Sequence, residues 1–306
     1  MLKARDLIGL KDEAALMLKE WFDVAAENMA VTEVLFVPTG MNYDAEYLSA
    51  LPNLKAVASN TTGDDHIDVA HCKERGIEVI TLKDDPVLGQ LTGVVELTIG
   101  FIVMLTRNVT QAAAAVKCGE WDRYPYGGRF MLRRLSIGII GAGRLGSMLG
   151  VWTRTMGMAT NFFDIQYPMT TMTFNAALQS DIVSIHIPVE GNIGFFDRDM
   201  IGRFADGAYL INTSRGEVID EQALVEALAS GKIAGVATDV ISGEFERDFN
   251  LEDSVLWRYA QGHDNVIITP HIGGSTGDSW RITQARIVQK AKEFSDSYLR
   301  EQAVNQ

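Results

Sequence analysis

Three short turns in the sequence carry the side chains that hydride transfer to a carbonyl needs. That step requires a cation to hold a carboxylate and polarise the C=O, an acid to protonate the new alkoxide, and a group that keeps the acid in place. Ile211-Asn212-Thr213-Ser214-Arg215-Gly216 presents an arginine among small residues. Asp239-Val240-Ile241-Ser242-Gly243-Glu244 presents two acids, and Thr269-Pro270-His271-Ile272-Gly273-Gly274 a histidine followed by glycines. Each turn follows an apolar run read as a strand, so Arg215, Glu244 and His271 would converge on one carboxyl edge of a sheet. Taken singly, the arginine is explained by solvation and the histidine by an ordinary hydrogen bond. On consecutive strand ends the set points to chemistry.

A hydride donor is implied by the stretch Leu135–Asp164. The apolar run Ile137, Ile139, Ile140 breaks into Gly141-Ala142-Gly143-Arg144-Leu145-Gly146, a helical segment runs to about Gly157, and Phe162-Phe163 ends on Asp164. Strand, Gly-x-Gly-x-x-Gly turn, helix, strand and acid are the parts of a dinucleotide site. Gly141 permits the tight turn, Gly143 lets the backbone approach a pyrophosphate, and Gly146 lets the helix pack on the strand; the helix N-terminus attracts the diphosphate. The glycine motif alone is weak, but Asp164 stands 18 residues past Gly146, where an acid meets ribose hydroxyls. No Arg or Lys follows in Ile165-Gln166-Tyr167 to take a 2′-phosphate, so NAD is favoured over NADP.

The elements that must position these groups alternate along the chain. Asp12–Trp21 reads as a helix, Val34–Val37 a strand, Asp44–Leu51 a helix, Leu54–Ser59 a strand, Ile67–Arg75 a helix and Ile77–Ile80 a strand. This alternation implies a parallel sheet covered by helices. Leu2–Ile8 is too charged for a central strand on this reading. Asn60–Asp68 follows a strand and precedes a helix, which suits either a carboxylate-binding loop or a plain turn. Val94, Leu97, Phe101, Met104 and Leu105 recur at helical spacing, and the alanine-rich Gln111–Val116 follows, suggesting a bridge into a second domain. Strands are then expected at Ile182–Ile187, Ala208–Ile211, Ala234–Thr238 and Val266–Thr269, with a helix at Asp220–Ala229. From Ser275 a helix with Ile287, Ala291, Phe294 and Tyr298 on one face would return to cover the first domain. The expected architecture is α/β with a flavodoxin-like substrate domain (1–87 and 276–306) and an inserted, doubly wound Rossmann domain (88–275).

Composition sets outer bounds. At 306 residues, 47% hydrophobic and 22% charged, the chain has the make-up of a two-domain globular enzyme. Its net charge of −13 argues against nucleic acid or an anionic membrane as partners. Cys72 and Cys118 lack metal-ligand spacing and read as buried or partly buried thiols of a reducing compartment, and no metal is expected. The opening MLKARDLIGL has no apolar leader core, and Val94–Leu105 is short of the about 20 residues that span a bilayer, so a cytoplasmic protein is expected.

From Val57 to Trp280 the chain resembles the D-isomer-specific 2-hydroxyacid dehydrogenases, through TGDDHID, RGIEV, VVELTIG, IGIIGAGRLG, SDIVSIHIP, LINTSRGEVIDEQALVEAL, IAGVATDV and NVIITPHIGGST in that order. The resemblance implies that Arg215 binds substrate, that His271 is the general acid/base and that Glu244 orients it and favours its protonated form. It places Asp239 near the nicotinamide carboxamide and lines the cofactor with Arg144, Leu145, Ile187, Thr213, Ser214 and Gly273. The loop Thr62-Gly63-Asp64 falls to the substrate carboxylate. A 2-keto acid would be reduced by NADH to a D-2-hydroxy acid, in a homodimer joined through the nucleotide domain. Departures are Phe245 where the family usually has proline, a longer and more charged Phe245–Asn265 segment, and Ser59 where phosphoglycerate enzymes carry a basic residue. Glyoxylate, hydroxypyruvate or another small unphosphorylated keto acid fits best. An NAD(H)-binding corepressor of the same fold and a formate or phosphite dehydrogenase are the alternatives. Trp280 and Met131 are expected to pack in the core.

Overall fold

In the computed structural model, which describes residues 1–24, 28–128, 130–166 and 172–304, the chain divides into two units. Met1–Leu91, Phe245–Phe249 and Ser275–Gln306 form the first, Thr92–Glu244 and Asn250–Gly274 the second. The first unit opens with β1 (Lys3–Asp6), α1 (Asp12–Trp21), β2 (Asp23–Val24), β3 (Val34–Val37), α2 (Ala45–Ser49), β4 (Ala56–Ser59), α3 (Val69–Glu74) and β5 (Glu78–Ile80). Its strands are all parallel in the order β2-β1-β3-β4-β5, the flavodoxin-like arrangement. The charged opening segment therefore does occupy an inner position, contrary to the sequence expectation. Its side chains alternate: Leu2 and Ala4 are buried in one core while Lys3 and Arg5 face the other way. Its outer neighbour β2 is only two residues long.

Helices α4 (Gly93–Arg107) and α5 (Val109–Lys117) lead into the second unit. There follow β6 (Ser136–Ile140), α6 (Arg144–Thr155), β7 (Ala159–Phe163), α7 (Phe174–Leu178), β8 (Ile182–Ile185), α8 (Arg198–Gly202), β9 (Ala208–Asn212), α9 (Glu221–Ala229), β10 (Ile233–Thr238), α10 (Val255–Ala260) and β11 (Val266–Ile268). Six parallel strands lie in the order β11-β10-β9-β8-β6-β7. The chain steps outward from β6 to β7 and then crosses back to β8, so the winding reverses beside β6. Ligands of open α/β sheets bind at the carboxyl ends of such a reversal. Ile137 and Ile139 on β6 are fully buried against Phe101, Ile102 and Leu149, which fixes α4 and α6 on that face. The helical stretch Pro86–Arg107 reaches 22 residues at a mean hydropathy of 1.8, long and apolar enough to cross a membrane. That is longer than the run read from the sequence, yet Val95, Phe101, Ile102 and Leu105 within it belong to a protein core.

The long terminal helix α11 (Gly277–Val304) lies in the first unit, burying Ile287, Val288 and Ala291 against Leu2, Ala4, Val34 and Phe36. Asn60 reaches it through Thr283 (3.1 Å), and Asp85 accepts from Arg286 (2.9 Å). Three residues sit elsewhere than expected. Trp280 is half exposed because α11 buries the neighbouring Ser279–Thr283–Ile287 face instead, and Met131 is exposed ahead of a short 3-10 turn. Cys118 is an exposed thiol at the end of α5, whereas Cys72 is buried in α3.

Candidate active site

The nucleotide turn follows from steric exclusion. Gly141 has φ +98°, and a side chain there would strike the His186 carbonyl; one at Gly146 would overlap the Gly141 carbonyl. Both glycines are needed by the protein itself. Gly143 is different: a Cβ built there meets nothing within 4 Å, so the space it leaves belongs to no protein atom. Among the described residues no side chain caps α6, and its first residue is Arg144, whose pKa burial lowers from the ordinary value. An arginine at the first position of a helix adds a cation to the positive end of the helix dipole, a combination that suits an anion such as a pyrophosphate. Asp164, just past β7, accepts from the amides of Ala142 (2.6 Å) and Gln166 (2.7 Å), tying the acid to the glycine turn. Tyr167 lies outside the described residues. These residues fit a dinucleotide.

His186 closes the back of this turn. Its amide donates to the Ile140 carbonyl (2.7 Å) and its Nε2 meets Ser184 Oγ (2.8 Å), while Nδ1 is buried without a partner among the described residues. Burial pushes its pKa down to about 4, so the ring is neutral at physiological pH. Ile187 follows, its carbonyl accepting from the Ser214 hydroxyl, and Thr213 Oγ1 lies 3.2 Å from Thr98 Oγ1 on α4.

Arg215, Glu244 and His271 stand past the ends of β9, β10 and β11. Asn212 shapes the first turn: its Oδ1 accepts from Ser214 N (3.0 Å) and its Nδ2 donates to the Arg215 carbonyl (2.8 Å). The Arg215 guanidinium donates to the Ser214 carbonyl at 2.9 Å. His271 Nδ1 lies 3.0 Å from Glu244 Oε2, and Glu244 Oε1 is buried with no partner among the described residues. His271 has φ +52°, a left-handed backbone that costs a non-glycine residue energy and persists only where the surroundings enforce it. Asp239 supplies that enforcement. Only 3% exposed, it accepts from Thr269 Oγ1 (2.5 Å), Ile272 N (2.9 Å) and Gly273 N (2.7 Å), and its carbonyl takes the His271 amide (2.9 Å). Of about four acceptor positions on a carboxylate, three are thus filled by the histidine turn. Thr269 was not singled out in the sequence; a hydroxyl two residues before the histidine is its only trace.

The Thr62–Gly63 loop belongs to the first unit. The backbone N–H groups of these two residues donate to no group among the described residues. Beneath them Ser59 is fully buried, its hydroxyl 3.0 Å from His66 Nε2 and bonded to the Val37 carbonyl (3.0 Å), and Thr61 bonds the Gly63 carbonyl (2.7 Å). Asp64 serves the turn through its carbonyl, which accepts from Ile67 N at 2.8 Å. Phe245 lies with its ring centre 6.3 Å from that of His66.

Residues 99–273 match the model of the D-isomer specific 2-hydroxyacid dehydrogenase NAD binding domain. A hydroxypyruvate reductase of Thermotoga maritima is 30% identical over 291 residues, covering 90% of this chain and 92% of the relative. A glyoxylate reductase of Thermofilum pendens is 34% identical over 249 residues, 76% of this chain and 69% of that one. Among solved structures, a D-lactate dehydrogenase from Aquifex aeolicus complexed with NAD and lactic acid superposes with a TM-score of 0.78 at 27% identity, covering 97% of this chain and 96% of that one.

Proposed function

The chain belongs to the D-isomer specific 2-hydroxyacid dehydrogenase family, and from that premise we propose how its residues divide the work. It is an NAD-dependent oxidoreductase that interconverts 2-keto and 2-hydroxy acids. The observation that carries the assignment is the 3.0 Å contact between His271, past β11, and Glu244, past β10, the strand beside the one whose end bears Arg215. Arg215 holds the substrate carboxylate and polarises the carbonyl by charge-assisted hydrogen bonds. His271 gives its proton to the carbonyl oxygen as the alcohol forms and takes it back in the oxidation; Glu244, bonded to Nδ1, leaves Nε2 as the nitrogen that serves the substrate. The bound cofactor supplies the hydride to the carbonyl carbon or accepts it in reverse. Gly141, Gly143, Arg144, Leu145 and Gly146 would hold the diphosphate, Asp164 the ribose, Ile187, Thr213, Ser214 and Gly273 the remainder, and Asp239 would serve the carboxamide. Thr62 and Gly63 are assigned to the substrate carboxylate on their two amides, which have no acceptor among the described residues.

Glyoxylate or hydroxypyruvate is the favoured substrate. Buried Ser59 offers no cation where a phosphorylated substrate needs one, and two curated relatives carry those names. A cytoplasmic homodimer fits the free thiols, the net charge of −13, and the exposed Val109, Val116, Trp121 and Tyr124 on and after α5, which a second copy would cover. Following NADH absorbance with glyoxylate, hydroxypyruvate, pyruvate, 2-ketobutyrate, 2-ketoglutarate and a phosphorylated keto acid tests the reading. Turnover of one of the first two, at least about tenfold above the phosphorylated compound in kcat/KM (about 1.4 kcal/mol), is expected. NADH binding with no turnover of any of them would overturn it.

A further inference from the structure

We propose that Glu217 is a positioning residue for this reaction: its carboxylate locks the turn that carries Glu244 to the turn that carries Arg215. The inference rests on the roles given above to Arg215, Glu244 and His271.

The Glu244 turn is weak by its own chemistry. It is built on Ser242-Gly243, its internal bond from Glu244 N to the Ile241 carbonyl is long at 3.3 Å, and Gly243 has φ +76°. Such a turn has many accessible conformations. What holds it comes from the neighbouring strand end. Glu217 Oε1 accepts the Gly243 N–H at 3.0 Å, and Glu221 Oε1 accepts the Ser242 N–H at 3.2 Å while its Oε2 accepts from Ser254 Oγ at 2.8 Å. The two turns also touch directly, since a side chain at Gly216 would overlap the backbone of Ile241 and Ser242. Glu217 is itself fixed by the Gly194 amide, which donates to its carbonyl at 2.8 Å.

Of these ties, the one at Gly243 acts closest to the chemistry. It fixes the residue immediately before Glu244, and it starts two residues after Arg215. A bond to a charged acceptor is also stronger than a neutral one. The carboxylate thus sets the distance between the cation that binds substrate and the acid that orients the histidine. Misplacement of a reacting group by about 1 Å can cost about a hundredfold in rate, which is the scale of loss this tie prevents.

The test is steady-state reduction of the preferred keto acid by Glu217→Ala and Glu217→Gln, each alone and combined with Glu244→Gln. Glu217→Ala is expected to lower kcat about 10- to 100-fold with the Kd for NADH unchanged. Glu217→Gln keeps an oxygen for the Gly243 amide and should recover most of the loss. In the Glu244→Gln background, Glu217→Ala should cost little more, because the group it positions has already been altered. A Glu217→Ala enzyme with wild-type kcat, an equal loss in both backgrounds, or a glutamine variant as poor as alanine would overturn the proposal. If the alanine variant does not fold, Glu217→Asp, which withdraws the oxygen by one methylene, takes its place with the same expected direction. His271→Ala run alongside separates the two failures. If it retains wild-type kcat the acid/base assignment falls; if it collapses while Glu217→Ala does not, only the positioning role falls.

Discussion

The glycine turn after β6 and the turns after β9, β10 and β11 that carry Arg215, Glu244 and His271 lie on one sheet edge but are held by different physics. At the first, shape decides: a side chain at Gly141 would strike the His186 carbonyl and one at Gly146 the Gly141 carbonyl. At the others, buried or half-buried carboxylates decide: Asp239 gathers three donors of the histidine turn, and Glu217 and Glu221 take the amides before Glu244. Steric exclusion gives a fixed cradle for any dinucleotide. Carboxylate ties can hold a histidine in a left-handed backbone and aim it, which exclusion alone cannot.

Substitutions break this comparison in graded ways. Asp239→Ala should have the largest effect, because it leaves two backbone amides and a hydroxyl without acceptors in a buried site. Stability should fall by about 3 kcal/mol or more at about 1–3 kcal/mol per orphaned group, measured by urea unfolding, with activity lost at the same time. Acid is expected to act next, through His186. Its folded pKa of about 4 lies below the usual 6.5, so the unfolded chain binds the proton first. Stability from this group is complete above about pH 6.5 and is lost as pH falls towards 4, by up to about 3 kcal/mol. His186→Gln should flatten that limb of a plot of Tm against pH. Gly146→Ala should cost about 1–3 kcal/mol by overpacking and weaken NADH binding too. Gly143→Ala should change stability by less than about 1 kcal/mol, as a cap position does, yet weaken NADH binding strongly, since the space it fills is open in the protein. Equal stability losses for the two glycines would contradict the division drawn here.

What could be read from the sequence follows the same line. The Gly141–Gly146 turn and the six strands around it were legible because glycine spacing and apolar runs are local signals. The residues Arg215, Glu244 and His271 were legible as a set because strand ends of a parallel sheet share one edge. The ties among them were not: Glu217 and Gly243 are far apart in sequence, and Thr269 serves a carboxylate on another strand. The place of β1 was missed because its charges mask a two-residue alternation, and Trp280 because helical spacing alone does not say which face of α11 is covered. Ser59 could be read as a missing cation, but not as a hydroxyl buried against His66.

The central claim is that His271 is the proton donor to the substrate oxygen. Reduction of glyoxylate or hydroxypyruvate by His271→Ala at saturating NADH tests it most directly. The account predicts that kcat falls about 10²- to 10⁴-fold, the contribution of a well-placed general acid, while the Kd for NADH stays within about twofold, well under the 1.4 kcal/mol that a tenfold change represents. A variant that binds NADH and turns over at the wild-type rate would contradict it.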